Sequence, residues 1–363
     1  MIGLFQYCRG VVDDRLRAHG DIREPWPKQV GLLRGKQFVA LHSSAPYFVG
    51  QDNIGCPRWV VPKVPRLGDG CPATVRLMIL VTGASGTVGR HVVRLLKQGG
   101  HRARAMTRAR SGSTVPPGVD VVQADFEDLD SLRRAVAGVR AVFLLTAPAT
   151  PQPNHDLALL EVARSAGASS VVKLSAIGTG ERFGTATVGA WHQAAEDAVH
   201  ASGLAWTVLR PSSFASNCLY WADAIQAGQP VPNLTGDGEQ GIIDPRDIAA
   251  VAVAALTDPA HAGKTYTLTG PELLSVPHQA SQLADVIGRP VVSVDVPSTT
   301  ATQQLLSSGM PPAAVEATVI GSAWARAGHN RILTDDVAKV LARPPATFRD
   351  WAQRHREAFT GTQ

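Results

Sequence analysis

Three glycines at i, i+3 and i+6, Gly83, Gly86 and Gly89, lie between an apolar run, Met78-Ile79-Leu80-Val81-Thr82, and an amphipathic stretch that starts at Arg90. This spacing suits a pyrophosphate: the first glycine permits a tight turn, the second lets backbone N–H groups approach an anion, and the third lets helix and strand pack closely. In Gly83-Ala84-Ser85-Gly86-Thr87-Val88-Gly89 the phosphate contacts are expected from Gly83, Ser85, Gly86, Thr87, Val88 and Gly89. The positive end of the helix dipole would lie beneath them. A glycine triplet alone marks only a loop. A buried strand before it and a helix after it make it a dinucleotide fingerprint.

The next strand, Arg102 to Arg108, ends in Thr107 and Arg108, with Arg110 close behind and no acid. A site for a free ribose 2′-hydroxyl would place Asp or Glu there, whereas a guanidinium matches a 2′-phosphate in charge and fork geometry. NADP(H) is therefore expected in preference to NAD(H), with Arg108 as the selective residue, unless these arginines only solvate a strand end. The third strand ends in Ala124-Asp125-Phe126, which places Asp125 and Phe126 beside an adenine; Asp128 is equally suited to capping the following helix. The fourth ends in Thr146, Ala147 and Pro148, expected at the ribose and ring because ligands lie outside the carboxyl ends of parallel strands. Ser175 and Pro211, at the ends of the fifth and sixth strands, complete the cofactor side, and Ser175 could also bond a substrate oxygen.

Acid–base chemistry is less well provided for. A Tyr-x-x-x-Lys pair would let a lysine lower the pKa of a proton-donating tyrosine. The four tyrosines, Tyr7, Tyr47, Tyr220 and Tyr266, have no lysine four residues on. His192 and Glu196 are one helical turn apart in Trp191-His192-Gln193-Ala194-Ala195-Glu196. His192 is the catalytic candidate, able to exchange a proton or orient a substrate; the alternative is a histidine that only hydrogen-bonds to backbone or to Glu196. Phe214, Tyr220 and Trp221 could floor an apolar pocket, or could be ordinary core. Lys173, inside a buried strand pattern, is expected to snorkel to solvent. No metal-ligating cluster is evident.

Taken together, these residues resemble the NmrA-like branch of the atypical short-chain dehydrogenases. The likeness runs from about Leu77 to the end and rests on the glycine loop, Arg108, the Asp125 turn, Leu204-Ala205-Trp206-Thr207-Val208-Leu209-Arg210-Pro211, Ile242 to Ala250, and Tyr266 to Pro271. The resemblance implies a doubly wound α/β Rossmann sheet with a smaller α+β substrate domain. It also implies a relationship to quinone, azo-dye and isoflavone-reductase-like enzymes and to cofactor-sensing regulators without turnover. In the isoflavone-reductase relatives a catalytic lysine stands where this chain has His192. The function expected is hydride transfer from NADP(H) to a small organic acceptor such as a quinone, imine or activated alkene; the alternative is a non-catalytic NAD(P)-sensing protein.

These motifs need a sheet to hold them, and the order of apolar runs and amphipathic stretches supplies one. Residues 76–230 are expected to form the cofactor domain, with strands returning to it beyond 230, and residues 231–363 the smaller domain. A lid helix is expected over 301–328 and a terminal helix over Phe348 to Phe359. Residues 1–75 show no sustained period and contain seven prolines, which suggests a disordered arm or an upstream start. The net charge of +5 resides mainly there, with 10 Lys/Arg against 6 Asp/Glu, while residues 76–363 carry 25 against 24. Nucleic acid is therefore not an expected partner. No run approaches the roughly 18 apolar residues of a membrane span, and no secretory signal precedes the domain, so a cytoplasmic location is expected. Oligomeric state is not readable from these features.

Overall fold

A parallel strand covered on both faces must be apolar at every position, with alternate side chains entering opposite cores. In the computed structural model, which describes residues 77–108 and 115–361, β1 (Met78–Val81) is buried throughout. Ile79 and Val81 enter one core, Met78 and Leu80 the other. The remaining sheet strands are β2 (Arg102–Thr107), β3 (Asp120–Gln123), β4 (Ala141–Leu144), β5 (Ser170–Leu174), β6 (Ala205–Pro211) and β7 (Lys264–Leu268). They pair in parallel in the order β7-β6-β5-β4-β1-β2-β3. The chain's direction of travel across the sheet reverses between β1 and β4, which opens a crevice at their carboxyl ends.

Helices cover both faces. On one lie α1 (Gly89–Gln98), through Val92, Val93 and Leu96, and α5 (Pro245–Thr257), through Ile248, Val251 and Leu256. On the other lie α2 (Leu129–Val136), α3 (Asn154–Ser165) and α4 (Ala190–Ala201), through Leu132, Leu159 and Val199. Fully burying each such aliphatic side chain contributes about 1.5–3 kcal/mol, which is why the helices hold their faces against the sheet. The fold is thus the doubly wound Rossmann type with a smaller C-terminal lobe. The return of α5 and β7 draws residues beyond 230 back into the sheet.

The smaller lobe has its own core, in which Trp351, Phe348 and Phe359 pack with Ile225 and Leu283. It contains α6 (Val276–Ile287), α7 (Ser298–Ser307), α8 (Pro312–Arg326), α10 (Phe348–Arg354) and α11 (Arg356–Thr360), whereas α9 (Asp336–Leu341) returns to the sheet, with Val337 buried in the core that α5 covers. Two short pairings, Val231–Asn233 with Ser293–Asp295 and Gln240–Gly241 with Leu273–Leu274, stitch it together. Two helices expected to be continuous are broken. The 301–328 stretch divides into α7 and α8 because Gly309 takes φ +84° and Pro311 and Pro312 follow. The terminal helix breaks at His355, where the backbone leaves helical geometry.

Asp244 and Asp247 have structural work. Asp244 caps α5 through the Arg246 N–H and pairs with Arg354, while Asp247 accepts from Arg343 at 2.6 Å and from the Ala346 N–H at 2.7 Å. Among the described residues no helix is long and apolar enough to cross a membrane, and no cluster of acidic, histidine or cysteine side chains could hold a metal. The readings made of residues 1–75 and of Arg110 lie outside the described residues.

Candidate functional site

The glycine loop leaves β1 through Gly83, whose φ of +59° favours a residue without a side chain. The turn closes with the Gly86 N–H on the Gly83 carbonyl at 2.9 Å. At Gly89 a β-carbon would stand 2.1 Å from that same carbonyl, so helix and turn approach as closely as backbone permits. Val88 precedes α1 without a side-chain cap, and the first turn carries no acid. An anion would therefore meet amide dipoles with no competing carboxylate, and this donor set fits the diphosphate of a dinucleotide. Ser85 is exposed, whereas the Val88 side chain is buried in the sheet core, leaving only its backbone for a ligand.

Thr82 fixes the crevice by joining β1 to β4. Its hydroxyl donates to the Leu145 carbonyl at 2.7 Å and accepts from the Leu145 N–H at 2.8 Å. Because β1 and β2 run in parallel with Val81 beside Ala105, Arg108 emerges at the same edge as the glycine loop. It is exposed, and its carbonyl accepts from Gln123. The Asp125 carboxylate forms a local turn with the Glu127 N–H at 3.0 Å, while Asp128 caps α2 through the amides of Asp130 and Ser131. Phe126 stacks on His155, with ring centroids 4.9 Å apart.

The strand ends hold two buried charge systems. The Thr146 hydroxyl donates to Asp156 at 2.6 Å, and Asp156 pairs with Lys173 at 2.8 Å with neither charged side chain exposed. Lys173 therefore does not snorkel. Strand alternation points it into the face covered by α3 and α4, where its charge is met by Asp156 and its Nζ lies 5.8 Å from the Trp191 ring centroid. The Ser175 hydroxyl donates to Glu196, which Arg210 grips with two nitrogens, Nε at 3.1 Å and Nη2 at 2.5 Å. Glu196 is thus turned away from His192 despite the helical spacing. The Thr146 and Ser175 hydroxyls are both directed into protein.

His192 is 5% exposed and stacks on Trp191 with centroids 3.6 Å apart. Its buried Nδ1 has no hydrogen-bond partner in the protein. Burial, and secondarily the Lys173 charge, hold its pKa well below the usual histidine range, so the ring is neutral at physiological pH. It lines a cavity of about 70 Å³ at the carboxyl ends of β5 and β6, together with Ile177, Pro211, Trp324 and Asn330. A second cavity of about 190 Å³, reaching into the smaller lobe, is lined by Tyr220, Trp221, Leu234, Gln279 and Leu305. The two share Ser213, Asn217 and Gln240. Apart from the neutral His192, neither lining includes a lysine, arginine, aspartate, glutamate or histidine.

Of the three aromatic pocket candidates, Tyr220 and Trp221 line the larger cavity. Phe214 does not: it is packed in the sheet core with Ile243 and Leu268. Sequence reasoning missed Asn217, Gln240, Trp324 and Asn330. Asn330 donates to Gln240 at 3.0 Å and accepts from Ser212 at 3.2 Å, tying the end of β6 to the smaller lobe. No local pattern marks such a contact, because Asn330 lies 90 residues from Gln240 and 118 from Ser212. Cys218 also lines the larger cavity; its thiol lies 3.3 Å from the Gln279 Oε1, and burial raises its pKa well above the usual thiol range.

Residues 83–259 match a family model described as NAD(P)H-binding. The chain is 39% identical over 283 residues to a (4-alkanoyl-5-oxo-2,5-dihydrofuran-3-yl)methyl phosphate reductase of Streptomyces griseus, covering 78% of this chain and 99% of the relative. It is 35% identical to an NAD(P)H azoreductase of Xenophilus azovorans, with the same 78% and 99% coverage. Among solved structures, an NADPH-dependent quinone oxidoreductase of Escherichia coli complexed with NADPH shares the fold, with a TM-score of 0.67, 22% identity, and coverage of 76% of this chain and 99% of that one. A triphenylmethane reductase of Citrobacter sp. has a TM-score of 0.67 at 22% identity, covering 77% of this chain and all of its own. With its glycine loop, reversed-order sheet and 39% and 35% identity over 78% of its length to two reductases, this chain belongs to the NAD(P)H-binding, NmrA-like branch of the atypical short-chain dehydrogenases.

Proposed function

We propose that the protein is an NADP(H)-dependent reductase of a small uncharged organic acceptor. The observation that carries this reading is the pair of adjoining cavities at the strand ends, which share Ser213, Asn217 and Gln240 and have uncharged linings. The 39% identical relative is named for a phosphate-bearing substrate. A buried phosphate needs a cationic partner, and these linings supply no arginine or lysine. A neutral acceptor suits them, and the 35% identical relative is named for azo reduction, in which the reduced N=N group is itself uncharged.

In this proposal residues 76–230, with the elements that return to the sheet beyond 230, hold the cofactor, and the rest of 231–363 supplies the substrate lobe. The backbone of Gly83 to Gly89 receives the diphosphate, Arg108 the 2′-phosphate, Asp125 and Phe126 the adenine side, and the backbone at Thr146, Ala147, Pro148, Ser175 and Pro211 the ring side. The bound cofactor supplies the hydride. His192, neutral and buried, orients the acceptor by hydrogen bonding and does not act as a proton-carrying imidazolium; the proton comes from water. Thr146–Asp156–Lys173 and Ser175–Glu196–Arg210 fix the strand ends beneath the site, and Tyr220 and Trp221 bound the outer cavity.

Filling the outer cavity tests this division of labour. Ser322, on α8, is 5% exposed and lines the outer cavity. Ser322→Phe is expected to leave the NADPH dissociation constant within about twofold and to lower kcat/KM for the acceptor at least about tenfold, a change worth roughly 1.4 kcal/mol. Unchanged kcat/KM in the folded variant would remove the outer cavity from the acceptor's path.

A further inference from the structure

Two orphaned polar atoms belong to residues lining the inner cavity. Trp324, on α8, is 2% exposed, and its indole Nε1 is buried without a hydrogen-bond partner in the protein, as is the Nδ1 of His192. Each such buried group costs about 1–3 kcal/mol when unsatisfied, so a pair on one small cavity is suited to a bound acceptor atom, with water in its place in the free protein. The fold also makes room for this indole. Gly178 takes φ +75°, and a β-carbon there would stand 2.6 Å from Trp324 Cζ2 and 3.1 Å from Cε2, beside the indole nitrogen. The ring also makes a stacked contact with His329, centroids 6.1 Å apart.

We propose that Trp324 is a specificity-determining residue whose indole N–H, paired with the Nδ1–H of His192, grips a carbonyl oxygen of the acceptor, which selects quinone-type substrates. This deepens the reductase reading and rests on it. Indole nitrogen can only donate, and a neutral imidazole donates from Nδ1 in one tautomer. An sp² carbonyl oxygen has two lone pairs and accepts from both at once. An imine nitrogen offers a single lone pair, and the two lone pairs of a trans azo group point to opposite sides of the N=N bond, so neither lets two converging donors pair on one atom. Because nothing else in the protein satisfies Trp324 Nε1, Trp324→Phe keeps most of the ring and removes a donor without a protein partner, so the free protein should not lose the stability of an intramolecular hydrogen bond.

The experiment uses full-length protein labelled with ¹⁵N-tryptophan and saturated with NADP⁺, titrated with 1,4-naphthoquinone. The chain has seven tryptophans, and the Trp324 indole signal is the one absent from Trp324→Phe. The proposal predicts that this signal shifts on quinone addition, and that Trp324→Phe weakens naphthoquinone binding about tenfold, the equivalent of about one hydrogen bond, with NADP⁺ affinity unchanged. Equal quinone affinity in the two proteins, an unmoved Trp324 signal, or no quinone binding by the wild type would overturn it. A loss of NADP⁺ affinity instead would also overturn it, by assigning the N–H to the cofactor. The readout is binding, so it fails independently of the reductase reading, which fails when NADPH is not consumed.

Discussion

Lys173 and Asp156 form an ion pair at 2.8 Å in which neither side chain reaches solvent, and Thr146 donates to the same carboxylate. Removing one partner leaves the other charge buried and unpaired, a loss of about 3–5 kcal/mol. Lys173→Met is expected to lower stability by that amount in urea denaturation. The double variant Lys173→Met/Asp156→Leu should recover much of it, since well-packed apolar replacements of buried pairs are often neutral. Equal losses in the single and double variants would mean that the pair is not the unit of stability.

At Gly89 a β-carbon would lie 2.1 Å from the Gly83 carbonyl, which belongs to the backbone of the turn and has no flexible end to move. Gly89→Ala is expected to displace the loop, abolish NADPH binding measured by fluorescence, and cost at least about 1–3 kcal/mol of stability as an overpacked contact. Retained affinity would contradict the phosphate-loop assignment.

Arg108 is an exposed cation at the end of β2, and no acid stands within the described residues of that strand. Arg108→Ala should weaken NADPH binding about 10- to 100-fold, matching the roughly 1.5–3 kcal/mol of a hydrogen bond to a charged group, and leave NADH nearly unchanged. Equal losses for the two cofactors would remove Arg108 from the 2′-phosphate.

Burial lowers the pKa of three histidines, His91, His192 and His355, and so weakens the fold in acid. Burial, then the charges of Arg90, Arg94 and Arg246, lower the His91 pKa from 6.5 to about 4, and burial lowers that of His192. The unfolded chain takes up these protons first as pH falls. The stability they contribute is therefore complete above about pH 6.5, declines below it, and for His91 is lost as pH passes through about 4. His91→Gln should flatten the fall of Tm across that window. A neutral His192 also predicts no inflection in kcat near pH 6.5, measured across the pH range in which the protein stays folded; a clear step there that disappears in His192→Gln would restore an acid–base role.

The features written in local order could be read before the fold was seen. The apolar run 78–82, the glycine spacing and the helix from residue 89 lie within about twenty residues, so their periodicity states the strand, turn and helix directly. Strands returning to the sheet beyond 230 were expected, but the place of β7 beside β6 is a parallel pairing that its alternating sequence, Lys264-Thr265-Tyr266-Thr267-Leu268, does not state. Lys173 went the other way: a lysine in a buried strand suggested snorkelling because its counter-ion, Asp156, sits on a different element with no sequence signal linking the two. The Glu196 partner was similarly hidden, since helical spacing pointed to His192 while Arg210 approaches from β6. The Phe214 side chain belongs to the core rather than the cavity because a strand-end bridge to Ile243 turns it inward. Trp324, Asn330 and Gln240 meet only after α8 and the turn beyond it fold over the strand ends.

The deciding measurement is NADPH oxidation followed at 340 nm with the full chain and a panel of naphthoquinone, azo-dye and imine acceptors, beside a titration of NADPH alone. The account predicts tight NADPH binding and turnover that is fastest with an uncharged quinone. Tight binding with no consumption of NADPH across the panel would contradict it and leave a cofactor-binding protein without reductase activity.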